Sequence, residues 1–547
     1  MPLFRRIAHS FTSRERWGFW IGCGAFVIGT LTLISVTVGE RSSFVPVAGG
    51  TYTEGVVGQP IVINPIVSGN PADQDLSALL FAPLKELLSI PPEASPDGRT
   101  YTLKLKEDLT WDDGASLTSD DILFSIKTVQ DPETRSPLEG GWQGITAERV
   151  SEIQIRLTLP TPFAFFNDTI SQFRPIPEHI FGSIPIQNLR LSSYNLQPVG
   201  NGPYKFKDFS KRKDGFITRY RLVRNEHHAG TAPYIDEFVF QFYEEWDGLF
   251  SDFSRRRIQG YGSLAPVSAD SQPRTILTEH FPMPRYYAIF LNSVTNSALK
   301  EKQVRYALAY AIDKKKIAKD VLGDETLALD SPFFMPLIKS LPDYSSFSLE
   351  SFDPNVIWKA EYNPEEAKKL LELAKKTDLV LTLSVPDVEF LRKIATSLKK
   401  AWEAIGIRSV EIMTLPSQEL EDAIRPRNYE TLLFGNVLQH PLDLFPFWHS
   451  SQRFYPGLNL SLYQNIDMDK QMEAMRQSPD ITKNTARLEI INTSLSGDLP
   501  ALFLFTLPYT YIHTDRVMGI APSMLITPSD RFRSVTEWYM TKARIIN

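Results

Sequence analysis

The chain has 547 residues, 42% hydrophobic and 22% charged, the composition of a globular protein that can bury a large core. Residues 1–48 carry five Arg and two Glu, so within a net charge of −6 the rest of the chain holds −9. A body that acidic lacks the basic groove nucleic acid requires, and its length allows about three domains or one multi-lobed unit.

Trp17 to Val38 is a run of 22 residues without a charge. As a helix it would extend about 33 Å, enough to span a bilayer. Arg5, Arg6, Arg14 and Arg16 precede it, which predicts a cytoplasmic N-terminus (1–16), a transmembrane signal anchor (17–38) and an extracytoplasmic body, periplasmic or at the cell surface. No small-x-small cleavage site follows directly, which argues against simple secretion. Cys23, the only cysteine, sits in a weak lipobox-like context, but most of the apolar stretch follows it rather than precedes it. An uncleaved anchor is therefore expected over lipidation. A linker is expected over 39–50, with Pro46 and Gly49-Gly50.

Residues 51–66 read as a strand ending at Asn64-Pro65. Tyr101–Leu105 alternates apolar and polar residues and predicts a half-buried strand. Asp113-Gly114 supplies a turn, and Thr118 reads as a helix N-cap with Asp121 as its reciprocal partner and Leu117 and Ile122 as a hydrophobic staple. A second alternating strand follows at Ile153–Leu159, then the proline-rich Arg174-Pro175-Ile176-Pro177-Glu178. Residues 198–285 are strand-rich, opened by the turn at Gly200-Asn201-Gly202-Pro203.

After Phe290 the period becomes helical, with Val304, Ala307, Leu308, Ala311 and Ile312 on one face. Asn363-Pro364-Glu365-Glu366 opens another helix with an N-cap and a proline at its first position. Strands at Leu379–Val385, Ser409–Leu415 and Glu430–Val437 alternate with helices, predicting βαβ crossovers and a largely parallel sheet. Ligands of such sheets sit beyond the carboxyl ends of the strands, which makes Phe434–His440 a candidate binding loop.

Catalytic signatures are missing: there is no HExxH, G-x-S-x-G, P-loop or dinucleotide glycine fingerprint. The pairs Asp112-Asp113 and Asp120-Asp121 are read as turn and cap residues rather than a site. The eight histidines are scattered; His440 and His449 are the two near the candidate loop. No metal or cofactor is expected.

A series of landmarks runs in order through the chain: Tyr52-Thr53-Glu54-Gly55, Asn64-Pro65, Tyr101–Phe124, Pro198–Tyr204, Tyr287–Asn292 leading into Val304–Asp313, Tyr362–Leu370, and Phe447-Trp448-His449-Ser450. In this order the chain resembles the extracellular solute-binding proteins of family 5, the oligopeptide- and dipeptide-binding components of ATP-binding-cassette importers. The resemblance implies an α/β fold, periplasmic-binding-protein-like type II. Two α/β lobes with a hinge would carry an extra domain, here preceded by one transmembrane helix. Lobe I would comprise 51–66, 198–285 and 507–547, its extra domain 67–197, and lobe II 286–506. Hinge closure would enclose the ligand.

In the resembling proteins a peptide lies extended and pairs its backbone with strands of both lobes. The matching positions are Glu54, Gly55 and Val56 with Gly435, Asn436 and Val437; Tyr287, Asn292, His440 and Asp443 complete the implied ligand site. Peptide binders of this family place an aspartate after the glycine corresponding to Gly435, where it pairs with the ligand's α-amino group. Here the sequence runs Gly435-Asn436-Val437-Leu438-Gln439-His440-Pro441 with no acid until Asp443. Either Asp443 substitutes or the ligand lacks a free amine. The implied function is a membrane-anchored monomer that captures peptides or similar small solutes for the permease and ATPase subunits of an importer. A membrane-tethered ligand sensor is the alternative, and an anchored enzyme is disfavoured because no catalytic constellation is visible.

Overall fold

The computed structural model describes residues 12–40, 42–67, 69–265, 275–323, 327–333, 338, 361–478 and 481–546. A seven-stranded sheet carries, from edge to edge, Ile276–Phe281, Tyr509–Thr514, Gly260–Ser263, Thr51–Val57, Glu237–Tyr243, Ile217–Arg224 and Tyr204–Lys211. A six-stranded sheet carries Leu327–Ala328, Ala501–Thr506, Arg285–Leu291, Thr431–Val437, Val380–Pro386 and Ser409–Leu415. A four-stranded sheet is formed by Glu93–Ala94, Thr100–Lys104, Gln154–Thr158 and Thr146–Ser151.

The six-stranded sheet is mixed rather than largely parallel. Parallel pairing is confined to Val380–Pro386 with its neighbours Ser409–Leu415 and Thr431–Val437, the strands joined by helical crossovers. Arg285–Leu291 and Ala501–Thr506 pair antiparallel, because both connect to the seven-stranded sheet rather than to a crossover helix. The strand expected over 51–66 ends at Val57.

The chain passes between the two sheets at two connections, from Ile276–Phe281 to Arg285–Leu291 and from Ala501–Thr506 to Tyr509–Thr514. Arg285, buried, pins them together. Its Nε donates to the Leu507 carbonyl at 2.7 Å, and Nη2 donates to the carbonyls of Leu264 at 3.2 Å and Pro508 at 3.0 Å.

One continuous apolar core joins the seven-stranded and four-stranded sheets, running from Leu103, Trp111 and Leu157 to Tyr204, Phe238 and Trp538. Two further cores flank the six-stranded sheet, one containing Ile289, Leu383 and Trp402, the other Phe290, Leu432 and Trp448.

The strand–turn–helix module forms as its sequence dictates. Trp111 is fully buried, Gly114 adopts φ 90°, and the helix Ser119–Gln130 starts on a capping box. Thr118 Oγ1 accepts from Asp120 N at 3.2 Å, and Asp121 Oδ2 accepts from Thr118 N at 2.9 Å. Asp112 and Gly200 exchange backbone and side-chain bonds at 2.8 and 3.0 Å, tying the turn to the Gly200–Pro203 loop. Gly200 and Gly202 press against the carbonyls of Leu80 and Leu79, where any Cβ would clash.

A helix spans Ser13–Glu40, preceded by residues outside the described set, Arg5 and Arg6 among them. Side chains of 34–40 also lie outside it, and among the described residues no helix is long and apolar enough to cross a membrane. Within the expected linker, Ser42–Val47 is instead a strand, paired antiparallel with the C-terminal strand Thr541–Ile546.

Candidate functional site

Strand Thr431–Val437 is paired along its whole length on one side, from Arg285↔Val437 to Leu291↔Thr431. On its other side only Thr431 and Leu432 have partners, Leu383 and Ser384. Phe434 to Val437 therefore present free backbone groups along one edge, which an extended chain can satisfy.

Gly435 lies opposite Tyr287, and a Cβ there would fall 2.7 Å from Cε1 of that ring. Tyr287 stacks on Phe505 with centroids 5.0 Å apart and meets Phe390 edge-on at 5.7 Å. Val437 is exposed. The two asparagines of the expected site turn away from it. Asn436 is buried and donates from Nδ2 to the Tyr286 hydroxyl at 3.0 Å, which also accepts from Trp448 Nε1 at 3.1 Å. Asn292 is buried too; it donates to the Arg427 carbonyl at 2.9 Å and accepts from Val294 N at 3.0 Å. Both serve the core because their amides satisfy groups that water cannot reach.

In the seven-stranded sheet, Glu54 and Gly55 sit mid-sheet. Their strand pairs parallel with Glu237–Tyr243 along its length and with Gly260 and Tyr261 at Glu54 and Gly55. Val56 lies past the end of the second ladder and keeps that edge open. The Glu54 carboxylate is fully buried and belongs to an internal charge cluster. It accepts from Arg531 Nη2 at 2.8 Å, Tyr511 Oη at 2.6 Å and Tyr52 Oη at 2.5 Å. Arg531 also grips Asp75, with Nη2 to Oδ2 at 2.6 Å. Burial together with the Glu54 charge pushes the phenol pKa values of Tyr52 and Tyr511 well up. Glu54 thus ties its strand to the C-terminal segment, with its carboxylate satisfied inside the core.

Asp443 does not offer a free carboxylate, because Arg476 binds both of its oxygens. The same region meets the 67–197 segment. Phe165 stacks on His440 with centroids 4.1 Å apart, Asp168 Oδ2 lies 3.6 Å from His440 Nε2, and Ala164 N donates to the Arg476 carbonyl at 2.6 Å. The Arg476 guanidinium also lies 5.3 Å from the Phe163 ring centroid. Burial lowers the His440 pKa, opposed by the charges of Asp168 and Asp443.

Behind this contact lies a cavity of about 940 Å³. Lys85, Lys106, Arg174 and Asp168 face it from the 67–197 segment, Asp530 and Arg533 from the C-terminal segment, and Gln439 and His440 from the loop after Thr431–Val437. It is walled by these three segments, and none of Phe434 to Val437, Tyr287 or Val56 lines it. Among the described residues no group of three or more His, Cys, Asp or Glu is placed to hold a metal ion.

A model of the bacterial extracellular solute-binding proteins, family 5, matches residues 84–454. The chain belongs to this family. Similar relatives of this family 5 protein include the oligopeptide-binding protein AppA of Bacillus subtilis, 24% identical over 502 residues, covering 85% of this chain and 88% of that one. The dipeptide-binding protein of Escherichia coli is 23% identical over 447 residues, covering 75% and 79%. Among solved structures, the substrate-binding protein CtaP of Listeria monocytogenes superposes with a TM-score of 0.76 at 24% identity, covering 90% of this chain and 100% of that one. AppA of Bacillus subtilis in complex with a nonapeptide superposes at 0.71 with 22% identity, covering 91% and 100%. These likenesses establish an α/β, periplasmic-binding-protein-like fold.

Of the expected site residues, the structure brings Tyr287, Gly435 and Val437 together on one surface, with His440 after its end and Val56 in the seven-stranded sheet. The cations around the cavity were not foreseen. Lys85, Arg174 and Arg533 come from distant segments, and Arg174 stood out in sequence only for the prolines around it.

Proposed function

We propose that this protein is a membrane-anchored extracytoplasmic monomer, not an enzyme, that captures a peptide or similar small solute between two lobes. It would deliver that solute to the permease and ATPase subunits of an ATP-binding-cassette importer. The observation that carries the reading is the unpaired edge of Phe434 to Val437. A bound backbone would pair with that edge and with Val56, and the loop that follows the edge reaches the cavity through Gln439 and His440. Relatives that are oligopeptide- and dipeptide-binding proteins support the solute class.

In this reading lobe I comprises 51–66, 198–285 and 507–547, the extra domain 67–197 and lobe II 286–506. The Ser13–Glu40 helix supports the anchor: Trp17, Trp20, Phe26, Ile28, Leu31 and Leu33 are all exposed on it, an apolar surface that suits lipid. Pairing of Ser42–Val47 with Thr541–Ile546 would then hold the body close to the bilayer.

The test is mass spectrometry of solutes released on denaturing the detergent-purified full chain, followed by uptake assays of those solutes in cells lacking the protein. Recovery of peptides or similar solutes, with their uptake lost on deletion, is expected. Unchanged uptake of every bound solute would rule out the importer role.

A further inference from the structure

The strand Ser42–Val47 begins two residues after the helix Ser13–Glu40 ends, and it pairs with the C-terminal strand Thr541–Ile546 rather than with any of the larger sheets. The antiparallel register fixes what its two faces carry. Phe44 lies opposite Arg544 and Pro46 opposite Lys542, so these four side chains share one face. Ser43, Val45, Val47 and Ala543 lie on the other, where all four are half-buried. The outward face is therefore the one with Phe44, 67% exposed, and with Lys542 and Arg544, both exposed.

An exposed ring alone needs no explanation. What marks this one is its company. The two paired strands carry two cations and neither Asp nor Glu, on a chain whose residues after 48 sum to −9. Two carboxylates at the root of the ribbon are neutralised: Asp236 and Glu237, whose N–H groups donate to the Gly50 carbonyl, pair with Arg224 at 2.7 Å and Lys207 at 2.9 Å. Lys542 Nζ lies 5.8 Å from the Tyr539 ring centroid, a contact that positions the ammonium without cancelling its charge. Phe44 follows Glu40 by four residues, at most about 14 Å of extended chain. A helix whose apolar run fills the hydrocarbon core ends among the headgroups, a layer about 6 Å deep on each side, so the ribbon would start in or on that layer.

We infer that this ribbon docks on anionic phospholipid headgroups, with Lys542 and Arg544 on the phosphate oxygens and the Phe44 ring at the boundary of the acyl chains. This deepens the proposed membrane anchoring and rests on it. A single helix fixes the distance of the body from the bilayer but not its tilt. The second contact fixes the tilt, and with it the direction in which the body faces an importer in the same membrane.

The experiment places the full chain, purified in detergent, in vesicles of phosphatidylcholine alone or with about a third of phosphatidylglycerol, an anionic lipid. In a Cys23→Ser background, Phe44→Cys carries the fluorophore NBD, whose ring takes the place of the phenyl, and a nitroxide on lipid headgroups quenches it on contact. Met413→Cys, exposed on the edge strand Ser409–Leu415, carries the same label as a control. The label at 44 should be quenched in the anionic vesicles and the label at 413 in neither. Lys542→Gln/Arg544→Gln should lower the docked-to-free ratio about thirtyfold, the sum expected for two cations at an anionic surface. Lys542→Gln alone should lower it about fivefold and serves wherever the double change disturbs the ribbon. Raising salt from about 0.1 M to about 1 M, which shortens the Debye length from about 10 to about 3 Å, should release the label as the double variant does.

No quenching at 44 in anionic vesicles, or equal quenching in neutral vesicles and in the variants, overturns the inference. Self-quenching that grows with protein density, without lipid quenching, assigns the face to a second copy of the chain and overturns it too. Flotation of the vesicles after an alkaline wash separates this failure from that of the anchor. A chain that floats with an unquenched label at 44 keeps the anchored reading and loses the headgroup contact, whereas a chain stripped from the vesicles overturns both.

Discussion

Arg476 closes on both carboxylate oxygens of Asp443, with Nε to Oδ1 at 2.9 Å and Nη2 to Oδ2 at 2.7 Å, and the aspartate is only 8% exposed. This bidentate pair decides a question the sequence left open, because a carboxylate already satisfied by a fixed guanidinium has little to offer an incoming ammonium. Peptides with acetylated N-termini should therefore bind within about threefold of their free counterparts, less than 1 kcal/mol. Calorimetry on the purified full chain checks this; a large loss on acetylation would mean another group holds the amine.

Arg476 also ties its helix to the 67–197 segment, since its carbonyl accepts from Ala164 and its guanidinium lies over the rings of Phe163 and Phe445. Arg476→Gln leaves the Asp443 carboxylate buried without its cation, and the expected loss is about 2 kcal/mol, below the full buried-pair penalty because the arginine is partly exposed. Denaturant unfolding gives the value. Asp443→Asn combined with Arg476→Gln should cost less than the two single changes added together.

The fold was legible where local chemistry and order coincide. The Thr118–Asp121 capping box, the Asn363 cap and the alternating strands all formed as their residues dictate. What could not be read were features set by partners far away in sequence. Glu54 is a core charge because Arg531 and Tyr511 arrive from the far end of the chain. Asn436 faces inward because Tyr286 and Trp448 carry hydroxyl and indole groups that need each other. The sheet's antiparallel half follows from connections between the two large sheets that carry no periodic signal, and the pairing of Ser42–Val47 depends on the last strand of the chain.

Gly435 is required by the Tyr287 ring, which Phe505 and Phe390 hold from behind. Gly435→Val should destabilise by about 1–3 kcal/mol, the usual range for overpacking, and should displace Tyr287 from the strand edge. Thermal unfolding and calorimetry with the copurified solute measure the two effects. Adding Tyr287→Ala should restore stability; failure to do so would mean that the ring is not the obstruction.

Asp73 accepts from the N–H groups of Ile61 at 2.7 Å and Val62 at 3.0 Å, yet burial raises its pKa from 3.8 to about 6. A carboxyl whose folded value is raised favours the fold in its acid form. That contribution is complete below 3.8 and is lost as pH rises through about 6. The stability of the wild type relative to Asp73→Asn should therefore increase by about 2 kcal/mol between pH 7 and pH 4. Parallel urea titrations across that range test it, and a constant difference would contradict it.

In the proposed two-lobed reading, closure should be sensitive to pH through His440. Its ring stacks on Phe165 of the 67–197 segment, and burial lowers its pKa below 6.5 despite the charges of Asp168 and Asp443. In an open protein the ring would be solvated and would titrate near its ordinary value, so the closed form binds fewer protons. Closure is then fully supported above pH 6.5 and weakens as the pH falls through the lowered value. Spin labels at the exposed positions of Val150→Cys and Met413→Cys, with Cys23→Ser, should report lengthening interlobe distances on acidification. In His440→Phe the stacking partner persists without a titratable nitrogen, and the distance distribution should stay constant from pH 7.5 to about 5. If both proteins open alike on acidification, the switch lies elsewhere in the hinge.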